Sequence, residues 1–218
     1  DLIYINNNPY KLLKVREERT TRDFLSPSEI LKFELLEFNE FEAHLSMIRD
    51  LFLFCCYTGL RYSDVSKLAK KNLIKTTEGY KLDMISQKSQ KRILLPLYRL
   101  FKTNQEKYSK PERIVRKYIK IHNIEYDEDP YYDDIPLFKN LTEQHINREL
   151  KALAKRAGIH KNITTHVGRH TFGTTLALKV KPAILQKLMQ HSKLKETMIY
   201  VHLSNQSIEN ELNKVNWD

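Results

Sequence analysis

The sequence predicts a mainly α-helical fold with one small antiparallel β-sheet, an α+β class weighted towards helix. Three observations predict it. Capping signals and apolar residues at helical spacing recur over most of the chain. The run from about Phe41 to Thr58 is nearly all apolar in its second half, as a buried central helix would be. The window from Asn72 to Leu97 alone changes to short β-type runs.

Taken in order, residues 1–25 read as an entry segment. Asn6-Asn7-Asn8-Pro9 is turn-like, and Lys11, Lys14, Arg16, Arg19 and Arg22 make a basic run with little apolar pattern. Ser26-Pro27-Ser28-Glu29 marks a helix start, with Ser26 as N-cap, Pro27 at the first helical position and Glu29 completing a capping box. That helix is predicted over about Pro27 to Phe38. The buried helix follows and stops at Gly59, a residue that takes the left-handed conformation without steric cost. A short helix is predicted from Leu60 to about Ala69. Tyr80 to Ser86 and Arg92 to Leu95 read as two strands of a hairpin, with the polar tip Gln87-Lys88-Ser89-Gln90-Lys91 between them. Helices are then predicted over about Tyr98 to Glu106 and Pro111 to His122. Glu125 to Asp134 is acidic and aromatic but lacks the Gly and Glu spacing of an EF-hand, so it reads as a surface loop.

Thr142 caps a predicted helix to about Ala157, with Ile146, Leu150, Leu153 and Ala157 as its apolar stripe and Gly158 as its stop. A further helix after Thr164-Thr165 carries Val167, Thr171, Thr174 and Leu178 at core spacing. Pro182 starts another to about Gln190, and a last short one is predicted to end near Tyr200. Residues 204–218 read as a polar tail with a possible helix of its own, Ile208 and Leu212 lying four apart.

Composition bounds the function. A chain of 218 residues holds one large domain or two small ones, and 41% hydrophobic with 29% charged residues is ordinary for a soluble globular protein. The formal net charge of +10 favours polyanionic partners, whose phosphates Lys and Arg neutralise with release of counterions. The two cysteines, Cys55 and Cys56, are adjacent inside an apolar run, which gives buried thiols rather than a disulfide or a zinc site. With no signal peptide and no apolar run long enough to span a bilayer, the expected setting is a reducing, cytoplasmic one without membrane contact.

Among catalytic patterns, a serine nucleophile has no support, since neither Gly-x-Ser-x-Gly nor Ser-x-x-Lys occurs, and no phosphate-cradling glycine loop is present. His166 and His170 stand four apart on a predicted helix, as zinc ligands can, but no Glu follows the first and arginines nearby oppose a cation. What remains is the stretch from Thr164 to Tyr200, which gathers Arg169, several histidines and Tyr200, with no carboxylate before Lys195. Such donors suit a bound anion, and a phosphate is the first candidate. His166 and Arg169, three apart on a helix, are placed to address one ligand together. Arg61, directly after a glycine stop at the end of a buried helix, is oddly placed for solubility alone; an ion pair with Asp64 is its structural alternative.

Dispersed motifs, taken in order, also carry a resemblance. They are Thr58-Gly59-Leu60-Arg61-Tyr62-Ser63-Asp64, then Gln87-Lys88-Ser89 ahead of Pro96-Leu97, then His166-Val167-Gly168-Arg169-His170-Thr171-Phe172, then Leu188-Met189-Gln190-His191-Ser192, and Tyr200. Asn8-Pro9 and Phe24-Leu25-Ser26 fit the entry to the same region. The set resembles the catalytic domain of the tyrosine recombinase (phage and mobile-element integrase) family from about Pro9 to Leu203.

The resemblance implies a catalytic domain over residues 26–203, an entry linker before it and a possible subunit-exchange helix in the tail. It implies site-specific DNA recombination or integration by Arg61, Lys88, His166, Arg169, His191 and Tyr200, with Tyr200 as nucleophile and neither ATP, metal nor other cofactor. It implies double-stranded DNA as substrate, a homotetramer on paired sites, and a fragment lacking the family's N-terminal DNA-binding domain. Departures are Gln190, where the family usually has Gly, and Ser89, where Thr is usual. Type IB topoisomerase-like nicking and resealing uses the same chemistry, and a non-cleaving DNA-binding module would keep the same basic groove. The intact set of six residues favours catalysis.

Overall fold

The computed structural model describes residues 22–123 and 133–212. Among them are eight α-helices and three strands. The fold is mostly helical with a small antiparallel sheet, as the sequence predicts. The long helix α2 (Ala43–Thr58) is its axis. Every residue from Asp50 to Thr58 is buried, and each large apolar side chain there contributes about 1.5–3 kcal/mol by leaving water. Around α2 pack α1 (Pro27–Glu34), α4 (Lys110–Ile121), α5 (Glu143–Arg156) and α6 (Thr165–Ala177), while α7 (Pro182–Leu188) and α8 (Leu194–Leu212) close over α6. The one carboxylate buried on α2, Asp50, is satisfied by Lys117 at 2.6 Å and Tyr118 Oη at 3.1 Å from α4 and by the neighbouring Arg49. Cys55 and Cys56 are fully buried free thiols, and burial pushes Cys55 up to about 12.

The helix ends follow local chemistry. Ser26 and Glu29 form the expected capping box, and Thr142 Oγ1 accepts from His145 N at 3.3 Å. Helix α1 ends at Glu34, four residues short of the predicted end, because Leu35 to Phe38 turn back against α2, where Arg49 donates to the Leu36 carbonyl at 2.8 Å. Gly59 and Gly158 stop α2 and α5 at φ +69 and +65. Asn147 of α5 accepts from Thr165 N at 2.9 Å and so fixes the start of α6.

After α2 the chain makes a four-residue helix, α3 (Tyr62–Val65), shorter than predicted. The sheet has the order β1-β2-β3, with β1 (Leu73–Thr76), β2 (Gly79–Ile85) and β3 (Arg92–Pro96) antiparallel. The sequence singles out only β2 and β3; β1 is short and half exposed, so it carries little apolar alternation. Leu82, Leu95 and Leu97 turn inward to the core.

The predicted helix from Tyr98 to Glu106 does not form. A single 3₁₀ turn, Leu97–Arg99, is followed by Phe101 at φ +48. Its ring sits 5.1 Å from Tyr57 and 6.2 Å from Phe172. Tertiary packing of one aromatic therefore overrides the local pattern, and Glu106 turns back to accept from Thr103 N at 3.1 Å. Helix α8 differs in the other direction. It runs without a break through Tyr200 to Leu212, so the expected boundary at residue 204 falls inside a helix. Most of the entry segment (1–21), of the acidic loop (124–132) and the end of the tail (213–218) lie outside the described residues. Among those described, no helix is long and apolar enough to cross a membrane.

A methyl group on Gly59 would meet Phe172 Cδ1 at 2.4 Å in a backbone conformation hostile to side chains. Gly59→Ala should therefore destabilise the chain by about 2–4 kcal/mol, the sum of left-handed strain and overpacking. Chemical denaturation midpoints would measure it.

Candidate active site

The site forms where the ends of α2 and α7 meet α6 and α8. Arg169, 7% exposed on α6, is its hinge. Its Nη1 donates to the Gly59 carbonyl and its Nη2 to the Met189 carbonyl, so one side chain fastens the turn that carries Arg61 to the turn that carries His191. Burial, and next the charge of Arg61, hold the Arg169 pKa down at about 10. Arg61 stands at the N-cap of α3 in extended conformation. Its Nη1 is buried with no hydrogen-bond partner. Two guanidiniums that repel each other, one with a buried unsatisfied donor, are arranged for an anion between them.

Tyr200 enters this field from α8 of the same chain. Its ring is buried with Phe172, Leu185 and Met189. It stacks on His191 at 5.8 Å with planes 7° apart, and lies so close to α6 that a Cβ at Gly173 would meet it at 2.7 Å. The hydroxyl shares a 2.9 Å hydrogen bond with His170 Nδ1. Burial raises the phenol pKa, against the opposing pull of Arg169, Arg22 and Arg61. His191 Nδ1 is fixed at 2.9 Å from the buried Thr197 Oγ1, which leaves Nε2 as the ring's other polar atom. Burial first and the arginines second hold His191 at about 4; burial, then Arg22, does the same to His170.

The structure thus brings Arg61, Arg169, His191 and Tyr200 together. Lys88 lies exposed at the β2–β3 tip, which is docked on the same site by side chains. Ser89 Oγ donates to Gln190 Oε1 at 3.2 Å and Lys91 Nζ to Ser192 Oγ at 3.4 Å. His166 is exposed beside Glu143, whose carboxylate lies 3.8 Å from its Nδ1, and it makes no bond to Tyr200. Asp64 does not pair with Arg61. It is fully buried and accepts from Gln87 N at 2.7 Å and Ser86 Oγ at 3.3 Å, so it anchors the Lys88 hairpin.

Sequence reasoning left three groups out of the site: His170, Asp64 and Arg22. His170 shares a helix face with His166, the one signal that could have marked it. The competing tyrosines are engaged elsewhere, Tyr57 with Glu34 and Tyr62 with the Leu141 carbonyl. Among the described residues, no group of three or more His, Cys, Asp or Glu side chains converges as metal ligands do.

A model described as the Phage integrase family matches residues 27–207. The chain belongs to the phage integrase family. A tyrosine recombinase of Pseudothermotoga lettingae is 29% identical over 204 residues, 90% of this chain and 62% of that protein. The tyrosine recombinase XerD of Lacticaseibacillus casei is 42% identical over a shorter stretch of 69 residues, 31% of this chain and 24% of that one. The chain spans less than two thirds of the length of either. The XerH site-specific recombinase, solved in a post-cleavage complex with its palindromic difH substrate, shares the fold at TM-score 0.62 and 19% identity over 88% of this chain and 53% of that chain. So does the Tn1549 transposon integrase bound to transposon right end DNA, at TM-score 0.60 and 22% identity over 96% and 73%. The integrase fold is therefore shared along almost the whole chain.

Both depressed imidazoles are neutral at pH 7. As pH falls below about 6.5 the unfolded chain takes up their protons before the folded one, so stability is full above that value and is lost between about 6.5 and 4. The fall from pH 7 to 5 in urea midpoint should flatten in a His170→Gln, His191→Gln double variant.

Proposed function

We propose that the chain is the catalytic region, taken as residues 26–203, of a site-specific DNA recombinase that cuts and rejoins double-stranded DNA through Tyr200. The observation that carries this reading is the unsatisfied, buried Nη1 of Arg61 beside Arg169, in the field that also holds the Tyr200 hydroxyl. A scissile phosphate is the anion that such a pair fits, and the family relationship supplies the class of reaction.

In this reading Arg61 and Arg169 hold the non-bridging oxygens of the phosphate and stabilise the charge that grows in the phosphorane transition state. His191 adds a hydrogen bond to the same oxygens. Tyr200 Oη attacks phosphorus and the bond to the 5′-oxygen breaks. The phenolic proton passes to His166, and Lys88 protonates the departing 5′-oxygen. The product is a 3′-phosphotyrosyl ester and a free 5′-hydroxyl. Attack on that ester by the 5′-hydroxyl of a second duplex releases Tyr200 and completes strand exchange. One phosphodiester bond replaces another, so the scheme calls for neither ATP nor a metal ion. His170, already bonded to the hydroxyl, holds the ring in place for these steps.

The net charge of +10 supports DNA as substrate, and the solved relatives bound to DNA support it too. The assembly in this reading is a tetramer on two sites, associated with the nucleoid, with the segment beyond Leu203 available for exchange between subunits.

The test is a labelled duplex carrying a nick or a 5′-phosphorothiolate trap, incubated with the chain in EDTA and run on a denaturing gel. A covalent adduct is expected, and Tyr200→Phe should abolish it. An adduct that survives Tyr200→Phe would remove Tyr200 as nucleophile, and one that needs added metal would overturn the mechanism. Strand exchange between two duplexes separates a recombinase from a topoisomerase-like enzyme, which reseals only its own strand. On ordinary DNA, Lys88→Ala should slow cleavage by about 10²–10⁴, the scale of general acid–base catalysis.

A further inference from the structure

We propose that Gln190 is a positioning residue that ties the Lys88 hairpin to the His191 turn, so that the proton donor and the phosphate ligand are delivered as one unit. The inference rests on the function proposed above and concerns how the hairpin and the His191 turn are set in register.

Gln190 follows α7 with φ +52, in the left-handed region where a side chain is disfavoured. A residue with a Cβ persists in such a place when its surroundings hold it there, and such residues cluster at functional sites. Here the side chain is 7% exposed and its Oε1 accepts from Ser89 Oγ at 3.2 Å. The bond joins residues 101 positions apart, and each end is the immediate neighbour of a candidate catalytic group, Lys88 on one side and His191 on the other. A glycine would satisfy the backbone better but would leave Ser89 without this partner.

The neighbouring contacts show what the bond adds. Asp64 holds the base of the hairpin through Gln87 N and Ser86 Oγ, and Lys91, just before β3, reaches Ser192. Between them lies the exposed Lys88 turn, and the Ser89–Gln190 bond reaches the residue next to it. On the other side, the Met189 carbonyl next to Gln190 is fixed by Arg169. The tether therefore runs from the buried guanidinium, through one strained residue, to the hairpin tip. A flexible lysine must lose freedom to meet the leaving oxygen, and a turn ordered beforehand removes part of that cost.

The test compares wild type, Gln190→Gly, Ser89→Ala, Lys88→Ala and the Gln190→Gly, Lys88→Ala double variant on two substrates. One carries the natural 5′-oxygen leaving group and the other a 5′-bridging sulfur, which departs without needing a proton. If Gln190 acts through Lys88, Gln190→Gly and Ser89→Ala should each slow cleavage of ordinary DNA about tenfold or more, a part of the about 10²–10⁴ that a general acid contributes. Their deficits should shrink to within about twofold on the sulfur substrate, and the double variant should be no slower than Lys88→Ala alone. Gln190→Gly should melt no lower than wild type, because the backbone strain is relieved. Ser89→Ala leaves the left-handed turn untouched and keeps the tether testable if the glycine variant folds poorly.

Equal deficits on the two substrates, or none on ordinary DNA, would overturn the tether while leaving the proposed function intact. Wild type that cleaves neither substrate would instead overturn the proposed function, and the tether's role with it.

Discussion

The candidate site depends on one buried cation. Arg169 spends two of its five N–H donors on main-chain carbonyls, at Gly59 and Met189. Gly59 lies two residues before Arg61 and Met189 two before His191, so the positions of both follow from a single planar group. Arginine suits this because it keeps its charge even when burial lowers its pKa to about 10, and because its rigid fork serves two acceptors at fixed angles. The same side chain is thus structural at two carbonyls and, in the proposed reaction, a phosphate ligand as well. Loss of Arg169 would leave two carbonyls unpaired as well as removing a charge, so its effects on folding and on chemistry are inseparable by deletion alone.

The second constraint is how Tyr200 is stored. Its ring belongs to a small apolar cluster with Phe172, Leu185 and Met189, and Gly173 lets α8 approach α6 at contact distance. Phe172 also carries the close approach to Gly59, so the stop of α2, the packing of α6 and the seat of the tyrosine share one ring. Phe101, held at positive φ, is the bridge from this cluster to Tyr57 on the central helix. The site is therefore built on the margin of the core, and the Lys88 turn projects from it.

Much of this was legible in the sequence where the cause is local. The Ser26 capping box, the Thr142 cap and the glycine stops at 59 and 158 need only neighbours within a turn, and the apolar second half of α2 reads directly as burial. What was not legible depends on partners distant in the chain. Asp64 looked like a mate for Arg61 three residues away, yet its acceptors face Ser86 and Gln87, more than twenty positions on. The failed helix after Tyr98 turns on where Phe101 finds room among rings from two other helices. The continuation of α8 past Tyr200 is a matter of nothing stopping it, since no glycine or proline follows before Leu212. The motif residues could be named in order without any of this, but not which histidine touches the phenol.

That last choice has chemical weight. His166 and His170 are four apart, so both project from one side of α6 and no periodicity separates them. Packing separates them: His170 is half-buried against Tyr200, and His166 is exposed beside Glu143. An imidazole held at about 4 is a weak base for a phenol whose own pKa is raised by burial, so the bond between His170 and Tyr200 orients the hydroxyl without ionising it. The free chain therefore keeps the Tyr200 phenol neutral and held by His170, the state from which the proposed attack would start. In the proposed reaction, ionisation waits for a phosphate at Arg61 and Arg169 and for a proton acceptor other than His170, the part given there to the exposed His166. That reading divides orientation and proton transfer between two histidines of one helix, the half-buried His170 to hold and the exposed His166 to react.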